Sequence, residues 1–359
     1  MTTCYAALRN ALLVIPEVDE RRSSADRTPS GDGASDTTTH LDGHDLEALD
    51  ARDGTVCCGT FDDGLYRSED GGETWTRASG LPDSVTSVAA GGRPGEWWAG
   101  TEPSAVYRSD DDGRTWERRP GLTDLPSASS WSFPPRPHTH HVRWIEPDPS
   151  DPDYLYVSIE AGALVRTRNG GETWEDRVPS ARRDNHSLTT HPDAPGRAWA
   201  AAGDGYAETA DRGEVWDRPQ EGLDHRYCWS VAVDFRESQS DSRAHQNSES
   251  SGDAADPSLV LLSSARSARV AHNTDRAESY LYRRRGDDPW ERLDDRGIPT
   301  GEGVLRAVLA RGDEAGTFYA LHNRGLYRTT DGGDSWARLD VRWADAFERQ
   351  TPRGLVLGE

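Results

Sequence analysis

The chain contains no lysine; all 41 of its basic residues are arginine. Against them stand 63 acids, which gives 359 residues a formal net charge of −22. No basic stripe offsets that charge, so nucleic acid is not an expected partner. Cysteine is scarce too. Cys4, Cys57, Cys58 and Cys228 form no spaced pairs, which argues against a disulfide framework. Cys57 and Cys58 are adjacent on an apparent strand and would point to opposite faces. No apolar run is long enough to span a bilayer. The mildly apolar residues 6–15 are interrupted by Arg9 and Asn10, with neither a basic leader nor a small-residue cleavage site. These features lead to the expectation of a monomeric cytoplasmic protein without a membrane partner.

The acids are spread along the whole chain rather than gathered in one patch. Such a surface stays hydrated in high salt, where self-repulsion is screened. With arginine replacing lysine throughout, the composition resembles that of haloarchaeal proteins.

What the chain has in quantity is repetition. Residues 66–75 read YRSEDGGETW, and the stretch returns at 107–116 (YRSDDDGRTW), 165–174 (VRTRNGGETW) and 327–336 (YRTTDGGDSW). Worn copies lie at 208–216 (ETADRGEVW) and 282–290 (YRRRGDDPW). Internal periodicity of this kind outranks other signals in assigning a fold. Each copy reads as a tight β-hairpin. Asp70, Asp111, Asn169, Asp211 or Asp331 accepts backbone N–H groups in the turn, and a glycine two residues later permits positive φ. Trp75, Trp116, Trp174, Trp216 or Trp336 then packs beneath the turn against the neighbouring unit.

This S-x-D-x-G-x-T-W pattern resembles the Asp-box, or BNR, repeat of sialidases, sortilin-type receptors, xyloglucan-cleaving glycoside hydrolases and photosystem II assembly factors. The resemblance implies a β-propeller with the boxes at the blade periphery. Enzymes and non-enzymes share them, so they do not assign a function.

Successive box tryptophans are 41, 58, 42, 74 and 46 residues apart, and the shorter steps suit a four-stranded blade. Blades are placed at about 44–82, 83–122, 139–180, 184–224, 226–297 and 303–340. The long steps contain inserts, at 124–137, where the run WSFPPRP is expected to pack over the disc, and at 236–257, read as a flexible loop. Residues 4–15 (CYAALRNALLVI) share the hairpin pattern of 318–327 (FYALHNRGLY) and read as a blade without its box. Residues 21–43 read as a second flexible loop. The tail at 341–357 would add the inner strand to residues 1–20 and close the ring, removing the edges an open sheet exposes. The fold expected is an all-β, seven-bladed propeller forming one domain.

Ligands meet propellers at the channel mouth, so the inner strands carry the functional argument. Aligned on their motifs, Arg143, His186, Trp229 and Arg306 share one register, and His141, Asp184 and Tyr227 the register two residues earlier. Glu102 and Glu160 end equivalent second strands and would overhang the mouth. Arg143 suits a carboxylate, Tyr227 and Trp229 suit a sugar ring or apolar group, and Glu160, Asp184, His186 and Tyr227 are the candidates for acid–base work. His141 and His186 are the candidate metal ligands, with Asp184 able to complete a site, although their spacing matches no metal signature and no cofactor is expected.

Among the resembling families, sialidases have six blades, an arginine triad and an Arg-Ile-Pro motif. Here the count is seven, that motif is absent and Arg143 and Arg306 have no evident third partner. Xyloglucan-cleaving enzymes pair two discs around a cleft, whereas this chain supplies one. Single discs such as the photosystem II assembly factors bind protein. The reading is a non-catalytic binding or assembly module for a peptide or carbohydrate, with a glycoside hydrolase or polysaccharide lyase at the same residues as the alternative. Two carboxylates about 5 to 10 Å apart across an open cleft would favour the hydrolase, and carboxylates tied to arginines would favour binding.

Overall fold

The computed structural model describes residues 2–18, 37–235 and 256–358. It is nearly all β, with seven blades forming a β-propeller. Most blade strands are buried along their length rather than alternating, because each sheet is covered by a neighbour on both faces. Alternation survives as a choice of neighbour. From Thr3–Leu8 and Ala11–Ile15, Ala6, Leu8, Leu13 and Ile15 pack with Tyr319 and Leu321 of the seventh blade, while Tyr5, Ala7, Leu12 and Val14 pack with Leu46, Leu49 and Val56 of the second. Cys58 joins that second cluster, whereas Cys57 faces Val85 and Trp97 of the third blade. All four cysteines are buried and outside any disulfide, and burial pushes Cys58 and Cys228 up to about 12, which leaves those two inert.

The ring is closed by its ends. Pro352–Gly358 pairs antiparallel with Thr3–Leu8, setting Leu357 against Cys4 and Leu355 against Ala6. That blade is completed outside by Thr38–His40, which pairs with Leu12, Leu13 and Val14. Residues 38–40 therefore correct the expected loop at 21–43: three polar residues carry no apolar signal, and only the exposed edge of Ala11–Ile15 makes them a strand. Residues 21–36 of that expectation and 236–255 of the other lie outside the described residues.

In the repeated turns Asp70 Oδ1 accepts from Thr74 N (2.9 Å), Ser68 Oγ accepts from Gly72 N (2.8 Å), and Trp75 Nε1 donates to the Gly72 carbonyl (3.0 Å). Asp111, Asn169, Asp211 and Asp331 repeat the first bond with Thr115, Thr173, Val215 and Ser335 at 2.8–3.0 Å. Blades four and five are three-stranded, with one bridge (Arg166 to Glu175, Glu208 to Asp217) in place of a fourth strand. Pro179 and Pro219 follow closely and cannot donate to a ladder.

Candidate functional site

The axis is organised by one local device. On six inner strands the pairing skips a residue, leaving Glu47, Thr86, Arg143, His186, Trp229 and Arg353 as β-bulges. Arg306 holds the same place two residues before Val308 in the seventh blade. A bulge re-aims its side chain out of the pleat. Each blade thus sends one residue to a common level, and that ring separates two cavities. Glu47, Thr86, Arg143 and Arg353 line both.

Below the ring lies a channel of about 450 Å³. Two of its acids are held upward by burial, Asp50 to about 6 and Glu146 to about 7, despite the bonds each accepts. Above the ring lies the mouth, a cavity of about 630 Å³. Phe133, Pro134, Pro135 and Arg136 of the first insert form one wall, with the Arg136 guanidinium between the rings of Phe61 and Phe133 at 4.7 and 4.8 Å. Trp131 anchors the insert, buried and donating to Ser127 Oγ (2.9 Å).

The centre of the floor is Trp229. Arg143 lies over its ring at 4.8 Å, Arg306 at 3.3 Å, and His186 packs on it at 4.5 Å. Arg306 is fully buried and does not reach the mouth. It donates through Nη1 to the Pro352 carbonyl (3.1 Å), and its Nε and Nη2 have no hydrogen-bond partner among the described residues. Burial, reinforced by Arg353 and Arg143, holds its pKa well below the ordinary arginine value. Tyr227 bonds His272 Nε2 at 2.9 Å, and both are shifted toward neutrality by burial, Tyr227 upward and His272 down to about 2.

The carboxylates sit beside these groups. Glu160 Oε2 is 2.9 Å from His141 Nε2 and 3.6 Å from Arg143 Nε. Burial alone would raise Glu160. The His141 hydrogen bond and the surrounding His141, His186 and Arg143 override it and hold the carboxyl well below its usual range. Asp184 is raised, by burial first, and its Oδ1 accepts from Ala161 N at 2.9 Å. His186 Nδ1 donates to the Cys228 carbonyl (2.6 Å), and burial lowers its pKa against the pull of Glu160 and Asp184. On the rim, Asp45 takes a two-point bond from Arg9 (3.0 and 2.6 Å), Glu102 takes one from Arg136 (2.9 and 2.6 Å), and Glu47 bonds Arg353 at 3.2 Å.

The structure therefore brings together His141, Arg143, Glu160, Asp184, His186, Tyr227 and Trp229 at one mouth and places Arg306 behind Trp229. His141 and His186, the two candidate metal ligands, are not in one group: His141 is bonded to Glu160, and the residues whose ligand atoms lie within 4.8 Å of one another are Glu160, Asp184 and His186. Sequence reasoning missed Arg353, Glu47 and His272. Arg353 is the third arginine that Arg143 and Arg306 lacked, and extending the strand alignment to the closing strand would have found it. His272 lies in the loop joining the second and third strands of its blade, equivalent to the loop entered at Glu160.

No protein-family model and no curated protein matches the chain. Solved structures do. An ancestral GH74 enzyme superposes with a TM-score of 0.58 at 14% identity, covering 88% of this chain and 38% of its own. The GH74 xyloglucanase from Xanthomonas campestris gives 0.54 at 14%, covering 98% and 52%. YCF48 bound to D1 peptide gives 0.53 at 17%, covering 88% and 92%. The chain thus spans about half or less of these GH74 enzymes and nearly all of YCF48. At such identities the likeness is one of fold. Among the described residues no helix is long and apolar enough to cross a membrane.

Proposed function

We propose that the chain is a non-catalytic binding module whose mouth takes a peptide segment presenting a carboxylate. The observation that carries this reading is the arginine at the mouth: in a chain of net charge −22, the ring positions that line it hold Arg143 and Arg353 against Glu47, with Arg306 behind them. Guanidinium groups recognise carboxylates by paired, charge-assisted hydrogen bonds. The rim acids are already neutralised by Arg9, Arg136 and Arg353, which limits their repulsion of an anionic ligand. Phe133 and Tyr227, both lining the mouth, supply rings for apolar or aromatic neighbours of the carboxylate. YCF48, a disc of comparable extent, is bound to a peptide, the kind of partner proposed here.

Against catalysis stands the placement of the acids. Glu160 and Asp184 lie side by side on adjacent blades, with ligand atoms within 4.8 Å, rather than facing across a cleft, and Glu160 is bound to His141 and Arg143. A glycosidase flanks its scissile bond with carboxyls about 5–5.5 or 6.5–9.5 Å apart. The alternative, a hydrolase or lyase on acidic carbohydrate, draws on one observation, the Asp184 carboxyl raised by burial beside the buried His186.

Isothermal titration in high salt tests the two readings, with peptides bearing a free C-terminal carboxylate, the same peptides amidated, and uronic-acid oligosaccharides. Binding of the free acids, about 10-fold or more weaker for the amides and for Arg143→Met, is expected. Equal affinity for acids and amides refutes carboxylate recognition. Turnover of the oligosaccharides, lost in Asp184→Asn, establishes the enzyme instead.

A further inference from the structure

We infer that Glu160, Asp184 and His186 form a binding site for one divalent transition-metal ion in the wall of the mouth. The argument starts at His186, whose side chain is fully buried. Its Nδ1 lies 2.6 Å from the Cys228 carbonyl oxygen, which can only accept, so the ring proton is on Nδ1. That leaves Nε2 as the nitrogen able to offer a lone pair to a cation. It points toward Asp184 Oδ1 at 3.9 Å and Glu160 Oε1 at 4.0 Å and has no hydrogen-bond partner among the described residues. Three electron-rich atoms thus converge within 4.8 Å of one another. Arg143, 3.6 Å from Glu160 Oε2, offsets part of this charge from one side, and the face shared by Glu160 Oε1, Asp184 and His186 is the one open to a further cation.

The surroundings favour a metal in that role. Each ligand is oriented by a further contact: His186 by the Cys228 carbonyl, Asp184 by the Ala161 N–H (2.9 Å), and Glu160 by His141 at Oε2 (2.9 Å), which leaves Oε1 turned to His186. Metal ligands are commonly held this way, and such outer contacts tune affinity. Backbone closes the back of the site at Gly203, where any side chain would collide with the Asp184 carboxylate. Asp184 is 35% exposed and opens on the mouth, providing an entry path and free coordination positions. One imidazole and two carboxylates suit Mn²⁺, Co²⁺ or Zn²⁺ better than Mg²⁺ or Ca²⁺, which prefer all-oxygen sites. Bond lengths of about 2.0–2.2 Å need only small side-chain rotations from the present separations.

The site is independent of what occupies the rest of the mouth, so failure to bind peptide leaves it standing. The test uses the full chain, treated with chelator and kept in about 1 M salt, where the Debye length is about 3 Å and weak binding to surface acids is suppressed. Co²⁺ is titrated by visible absorption, and Mn²⁺ and Zn²⁺ by calorimetry. Wild type should take up one equivalent and melt at a higher temperature with metal than without. Asp184→Asn keeps an oxygen for the Ala161 N–H and should melt like the metal-free wild type, yet lose affinity by about 10-fold or more. His141→Gln should lose about 10–100-fold by disturbing Glu160. No uptake by wild type overturns the proposal, as does equal uptake by Asp184→Asn, which would be adventitious binding to the acidic surface.

Discussion

Trp229 has the guanidinium of Arg306 over its ring at 3.3 Å and that of Arg143 at 4.8 Å, and of the two Arg306 has the harder position. It is fully buried, makes one hydrogen bond among the described residues, and is set against Arg353 and Arg143 more strongly than Glu47 compensates. Replacing buried ionic groups by apolar residues of similar size is commonly neutral or stabilising by about 1–4 kcal/mol. The cation–π contact with Trp229 offsets part of that, at about 2 kcal/mol when desolvated. Arg306→Met is therefore expected to melt at or above the wild-type temperature, read by thermal unfolding. A melting temperature lowered by several degrees would make Arg306 a structural strut. The register of Arg306 was legible from the strand motifs, because an inner strand has one face toward the axis. Its burial was not, since that depends on where Trp229 from the next blade comes to rest.

The repeated hairpins are the most legible elements, because their hydrogen bonds close within ten residues. Blades four and five were less so: the box pattern predicts a return strand, and the prolines that stop it lie outside the pattern. The turns also set an acid limit on stability. Asp111 is raised by burial, but its bonds from Thr115, Ser109 and Arg114 outweigh this and bring it down to about 2 from 3.8. A depressed carboxyl contributes stability that is complete above its unfolded pKa, near 4, and is lost as pH falls toward 2. Asn169 provides the natural comparison. It accepts from Thr173 N at 3.0 Å and donates to Thr173 Oγ1 at 2.9 Å, without a group that titrates. Asp111→Asn should accordingly match the wild type in thermal unfolding at pH 5 and lose less between pH 5 and 2.5. Parallel losses in the two proteins would show that the turns do not govern acid unfolding.

Across the whole molecule, blade count and closure followed from repeat spacing and from two half-patterns at opposite ends of the chain, now joined between Thr3–Leu8 and Pro352–Gly358. The mouth was only partly legible: its residues lie on different blades, and side-chain pairs such as Glu47 with Arg353 leave no local trace. Composition, in contrast, speaks about the molecule as a single charged body. With 63 acids against 41 arginines, the acids outnumber any possible pairing by 22. Salt acts on this body in two directions. It weakens the many surface arginine–carboxylate pairs, each worth about 0–1 kcal/mol, and it relieves repulsion among the unpaired acids. The repulsion extends over the whole surface, whereas each pair is local and partly shielded, so the second effect should win while the Debye length falls from about 10 Å at 0.1 M to about 3 Å at 1 M. The melting temperature is therefore expected to rise with potassium chloride across that range and to level off once the screening length is shorter than the spacing of surface acids. A flat or falling curve would mean that the arginine pairs, not the excess acid, dominate the surface energy, and the salt-adapted reading of the composition would fall with it.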